Sequence, residues 1–148
     1  MKQIYKLTML MVVFMLFGST TIAQDSLAVT SLQKDNSAST WHLFKQQGAV
    51  KIYYQYIDNG PGEFVNFKVE NTSNQAVTVA WNFTFYKNGV ALNSNPDDVN
   101  ITMTIGANTS EAGVCFSNQN IPLNIFIREA NQSYAVSMIT INNFSITN

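Results

Sequence analysis

The chain is poor in the residues that usually staple or power a small protein. Of its 148 residues, one is cysteine (Cys115) and one is histidine (His42). A single thiol cannot close a disulfide within its own chain, so the fold has to be held by its core. One Cys and one His cannot fill a zinc site, which takes three or four such ligands. Val114 and Phe116 flank Cys115, and no cation stands beside it in sequence to favour the thiolate. It reads as an inert, buried side chain rather than half of a Cys–His catalytic pair. There is no Gly-x-Ser-x-Gly elbow, and Glu63, Glu70, Glu111 and Glu129 are scattered over strand ends with nothing to pair them for glycoside hydrolysis. No enzymatic activity and no cofactor are expected.

Charge is also scarce, at 11% of residues. Basic residues occur singly at Lys45, Lys51, Lys68, Lys87 and Arg128, with no stripe that would neutralise a nucleic acid backbone. Long apolar runs are absent as well. The longest, Leu7 to Phe17, is interrupted by Thr8 and is about half the roughly twenty residues a membrane helix needs. Lys2 and Lys6 precede it, and "GSTTIA" follows, placing small residues at Thr21 and Ala23. That order predicts a signal peptide over residues 1–23, cleaved after Ala23. No cysteine follows the run to take a lipid. The product is expected to be secreted or periplasmic, without membrane insertion. Cleavage removes two lysines and leaves six basic against nine acidic residues.

What the chain has is alternation. Residues 24–39, "QDSLAVTSLQKDNSAS", show no sustained period and read as a flexible lead-in. From Thr40 the period is two, broken by turn residues about every ten positions, which predicts an all-β domain over residues 40–148. "VKIYYQYID" ends at "NGPG", "EFVNFKVE" at "NTSN", and "AVTVAWNFTFYK" meets Asn88-Gly89, a dipeptide suited to a tight hairpin. Further strands are expected at 99–105, 113–117, 121–129 and 134–147. Two antiparallel sheets packed as a sandwich suit this pattern, and a barrel is the alternative. Val77, Val79, Trp81, Phe83 and Phe85 share one face, so Trp81 belongs to the core. In the last segment the apolar parity changes twice, which predicts β-bulges near Met138 and near Asn142-Asn143.

The stretches "AVKIYYQYID", "EFVNFKVENTS", "VTVAWNFTFY" and "GANTSEAGVCF", with a long terminal strand, cover about residues 48–147. In this order they resemble the immunoglobulin- or fibronectin type III-like sandwich domains of small exported bacterial proteins of unassigned function. A Lys-Val-Glu-Asn strand end leads through a short turn into a Trp-bearing strand, and Gly-x-Cys follows a polar turn. Such relatives carry further cysteines where this chain reads "DNGPGE" and "NSNPDD". The resemblance implies a fold and an exported location, and no activity.

Two polar features remain. Asp58 and Glu63 in one loop, and Asp97 and Asp98 in another, are oxygen donors that calcium could use, although turns select the same residues for local reasons. Six Asn-x-Ser/Thr sequons, at Asn71, Asn82, Asn100, Asn108, Asn131 and Asn143, follow from an Asn- and Thr-rich composition. The aromatics Tyr54, Tyr56, Phe64, Tyr86 and Phe126 fall on polar-face parities and are the candidate ligand surface, since exposed rings bring large rigid area to an interface. These features point to a non-enzymatic surface or periplasmic interaction domain with an unknown protein or glycan partner. A carbohydrate-binding module using those rings is the alternative.

Overall fold

A computed structural model describes residues 25–29, 40–58, 60–92, 99–114, 123–129, 131–133 and 135–148. Its strands are β1 (Ser26–Ala28), β2 (His42–Gln47), β3 (Val50–Asp58), β4 (Gly62–Asn71), β5 (Val77–Lys87), β6 (Val90–Ala91), β7 (Asn100–Ile105), β8 (Thr109–Ala112), β9 (Asn124–Glu129) and β10 (Met138–Thr147). They form two antiparallel sheets. Sheet A runs β1-β10-β5-β6, with β7 also on β5; sheet B runs β2-β3-β4-β8, with β9 also on β4. The sheets pack face to face as a sandwich, an architecture compatible with an immunoglobulin-like arrangement, and no barrel closes.

The alternation in β5 and β4 decides what lies between the sheets. Val77, Val79, Trp81 and Phe83 point in from β5, and Val65, Phe67 and Val69 from β4. Phe67 and Phe83 meet across the layers with ring centroids 4.9 Å apart, and Trp81 packs edge-on against Phe83 at 5.9 Å. Only 3% of Trp81 is exposed. At the far end of β5, Asn88 and Gly89 both take positive φ (51° and 80°), as a hairpin matched to the strand twist requires.

Three expectations need correction. Asp25 to Val29 are not part of a free lead-in. Ser26–Ala28 pair with Thr140–Met138 of β10, and Leu27 and Val29 are buried in the core. Two apolar residues two apart among polar ones are too few to show as a period, yet they suffice for one edge strand. Of the strand expected at 113–117, Gly113 and Val114 lie outside any strand and the remainder lies outside the described residues. β8 ends before it, at Thr109–Ala112, all of it exposed and held by backbone pairing to β4 rather than by burial. In β10 the bulge lies between Asn142 and Ser145, with Asn143 at φ 54°. None occurs at Met138, because the parity change there coincides with the start of the strand after buried Val136.

The outer face of sheet A is a ladder of small polar side chains. Thr147, Thr78 and Thr104 form one rung, and Asn142, Asn82 and Asn100 another. The Thr78 and Thr104 hydroxyls lie 3.1 Å apart, and Asn142 Nδ2 donates to Thr84 Oγ1 at 2.8 Å. Hydroxyls and amides that satisfy one another keep this face hydrated without charge, in keeping with the chain's few ionic residues.

Candidate functional site

The outer face of sheet B is different. Leu43 of β2 lies opposite Tyr53 of β3, and Tyr53 opposite Lys68 of β4. Lys68 Nζ lies 4.6 Å from the Tyr53 ring centroid and 5.0 Å from that of Trp41, so one cation is held by two aromatic faces. The Tyr53 hydroxyl donates to Glu70 Oε2 at 2.8 Å. Desolvation first, and this carboxylate second, raise the Tyr53 pKa. Four residues back along β4, Phe64 faces Phe126 of β9 with centroids 5.5 Å apart and planes at 69°. Gly62 makes room for that pair, since a Cβ there would stand 3.2 Å from Phe126 and 3.3 Å from Phe64. Leu43 and Phe126, on strands at opposite sides of this face, remain 53% and 43% exposed.

Between the two aromatic groups the face is stitched by amides. Asn66, opposite Asn124, donates from Nδ2 to the Gly113 carbonyl at 3.2 Å and accepts from Asn124 Nδ2. Phe67 is the hinge of this junction: its N–H bonds Leu123 O at 2.7 Å, while its carbonyl accepts from Gly113 N at 2.9 Å. There β4 passes from pairing with β8 to pairing with β9. Gly113 has to be glycine, because a Cβ would lie 2.5 Å from Leu123 O.

The candidate aromatic surface does not assemble as one patch. Phe64 and Phe126 are together. Tyr86 is half-buried on the opposite sheet, opposite Met138. Tyr54 and Tyr56 are on the inner face of β3, paired with Phe67 and Val65 and packed against the core. Tyr54 is stacked on His42 at 5.3 Å and meets Phe44 edge-on at 6.3 Å. The error has a physical origin: "IYYQY" carries aromatics at both parities, so hydrophobicity alone does not set its phase. Lys51 and Gln55 mark the outer parity and therefore place Tyr53, not its neighbours, outside. Trp41, Leu43, Tyr53 and Lys68 are the surface residues that sequence reasoning missed.

The loop carboxylates have other uses. Glu63 is buried, and both of its oxygens are taken by Arg128: Nη2 donates to Oε1 at 2.6 Å and Nε to Oε2. Asp58 Oδ1 accepts from Gly60 N at 3.0 Å, a local turn bond. Asp97, Asp98 and Cys115 lie outside the described residues, among which no three His, Cys, Asp or Glu side chains gather.

The Tyr56 hydroxyl is buried beside the Glu63–Arg128 pair. It feels the Glu63 charge but makes no hydrogen bond of full geometry. Burial first and Glu63 second push its pKa far above the ordinary 10.0. Because the folded pKa exceeds the unfolded one, this contribution to stability is complete below pH 10 and is lost as pH rises beyond it. Alkaline unfolding followed by tyrosinate absorbance should therefore show late, cooperative ionisation, and Tyr56→Phe should flatten the decline in stability above pH 10. A Tyr56 that ionises before the fold is lost would contradict this placement.

A cleft of about 400 Å³ opens at one end of the sandwich, lined by Gln47, Gly48, Ser73, Gln75, Ile146 and Asn148 among others. None of its lining side chains is ionisable. Comparison with family models, with curated proteins and with solved structures returns no match to this chain.

Proposed function

We propose that this chain is an exported, non-enzymatic interaction domain of immunoglobulin-like form, secreted or periplasmic, that holds a protein partner through the outer face of sheet B. One observation carries the reading: apolar and aromatic side chains from β2, β3, β4 and β9 share that face, and Leu43 and Phe126 stay about half exposed on it. Rings of this kind anchor protein interfaces. A sugar platform needs open, flat ring faces. Here Lys68 sits over Tyr53 and Trp41, and the Phe64–Phe126 pair meets at an angle. A protein partner therefore ranks ahead of a glycan.

The test places a photo-crosslinking amino acid at Phe126 and, as control, at Thr102 on the outer face of sheet A, in the producing cells. Protein adducts from position 126 alone are expected. Adducts from neither position, or from 102 instead, would sink the proposal. Binding on a glycan array that Phe126→Ala and Tyr53→Ala abolish would put the carbohydrate-binding module in its place. The processed product should begin at Gln24 or Asp25 by intact mass.

A further inference from the structure

Strand β10 outruns its neighbour. β1 pairs with Met138–Thr140, and the last bond between them runs from Ile141 N to Asp25 O at 3.0 Å. Beyond that point Asn142 and Ser145–Thr147 pair with β5 on one side, and no described strand lies on the other. Asp25 enters β1 from the side of this open edge. Cleavage after Ala23 leaves only Gln24 ahead of it, and to that extent the inference rests on the export reading.

The edge lacks the usual protection. Residues 138–148, "MITINNFSITN", contain no charged side chain and no proline, the two commonest devices that stop exposed strands from pairing. The cation beside it, Lys45, is committed to Asp25 and lies over the Phe144 ring at 5.8 Å.

The bulge determines which backbone groups are free. Ile141 turns its N–H toward β1, and one extra residue between Asn142 and Ser145 reverses the alternation. After it, Ser145 and Thr147 bond β5, while the N–H and C=O of Phe144 and Ile146 face the open side. The Phe144 and Ile146 side chains pack, half-buried, against the core, and Ser145 and Thr147 are exposed.

We infer that this edge pairs with the same edge of a second copy, antiparallel about a two-fold axis at Ser145, joining the two A sheets into one. The register is self-consistent. Phe144 of one copy exchanges both backbone bonds with Ile146 of the other, and the reverse, giving about four new hydrogen bonds. Ser145 then lies opposite its own counterpart in a non-hydrogen-bonded pair. Both inward side chains are apolar and both outward ones are neutral hydroxyls, so every contact is between like chemistries, as an isologous interface demands.

The test uses the full chain, produced with its own leader and purified after processing. Intact mass checks the N-terminus, which separates failed processing from failed pairing. Light scattering should give twice the chain mass. Ser145→Lys, which sets two ammonium groups face to face, should halve that mass while the far-UV circular dichroism stays that of the native fold. Ser145→Cys in a Cys115→Ser background should oxidise to a disulfide-linked dimer, since Cα atoms about 4.5 Å apart meet the geometry of that bond. Thr102→Cys in the same background, exposed on β7 across β5 from β10, should form no disulfide-linked dimer. A processed protein that remains monomeric at every concentration overturns the inference. So does a dimer that survives Ser145→Lys, or a Ser145→Cys that oxidises no faster than Thr102→Cys.

Discussion

Trp81→Ala is expected to cost about 3–5 kcal/mol of folding stability, the range for removing a large aromatic from a packed core. That is a large share of the roughly 5–15 kcal/mol that holds a small domain together. The residue is almost completely buried, pairs with Ile101 in β7, and contacts Phe83 and Phe144 at 5.9 and 6.1 Å. Its loss would leave a void between Phe83 and the bulged half of β10. Chemical denaturation should show the shift in midpoint with an unchanged slope. In a Trp41→Phe background, the remaining fluorescence should be blue-shifted and poorly quenched by iodide; red-shifted, easily quenched emission would return Trp81 to the surface. Trp81→Phe should cost clearly less. Much of the volume is kept, and the indole Nε1, buried without a partner among the described residues, is removed.

Asn71 should be sensitive too. It is fully buried at the end of β4, and its Nδ2 donates to the carbonyls of Gln75 at 2.7 Å and Gly106 at 3.0 Å, with a longer approach of 3.4 Å to Ile105. Its Oδ1 accepts from Ser73 N at 2.9 Å. One amide thus ties the β4–β5 turn to the end of β7, across the two sheets. Asn71→Ala deletes these bonds and strands the half-buried Ser73 N–H, while the Gln75 and Gly106 carbonyls keep the Ser73 and Thr109 hydroxyls as donors. A loss of about 1–3 kcal/mol is expected. Asn71→Asp is the sharper probe. It keeps the acceptor but replaces the donor with a carboxylate aimed at carbonyl oxygens, so at neutral pH it should be worse than alanine. That carboxyl would have a folded pKa raised above its unfolded value, so its penalty should ease as pH falls and the protonated form donates again. An Asn71→Asp variant as stable as the native chain at pH 7 would refute the role assigned to this amide. Full burial also removes Asn71 from the accessible sequons.

Where the chain's own alternation spans a whole strand, local reading was enough. The inward face of β5 with Trp81, the inward parities of β4 and β7, and the Asn88-Gly89 hairpin all depend on residues within a few positions of one another. A pleated strand turns such neighbours to opposite sides regardless of its partners. That is why the all-β sandwich and the burial of Trp81 were legible from the residues alone. Tertiary structure decided everything that hangs on residues distant in sequence. Phe67 and Val65 settle the phase of Tyr54 and Tyr56, and β10 gives Leu27 and Val29 a place to be buried. Arg128 claims Glu63 from 65 positions away, and Lys68 draws Trp41 and Tyr53 into one cluster on sheet B. Periodicity reports which side of a strand is apolar; only the pairing of the sheets decides which side meets the core, which carboxylate meets a cation, and which strands come to lie side by side.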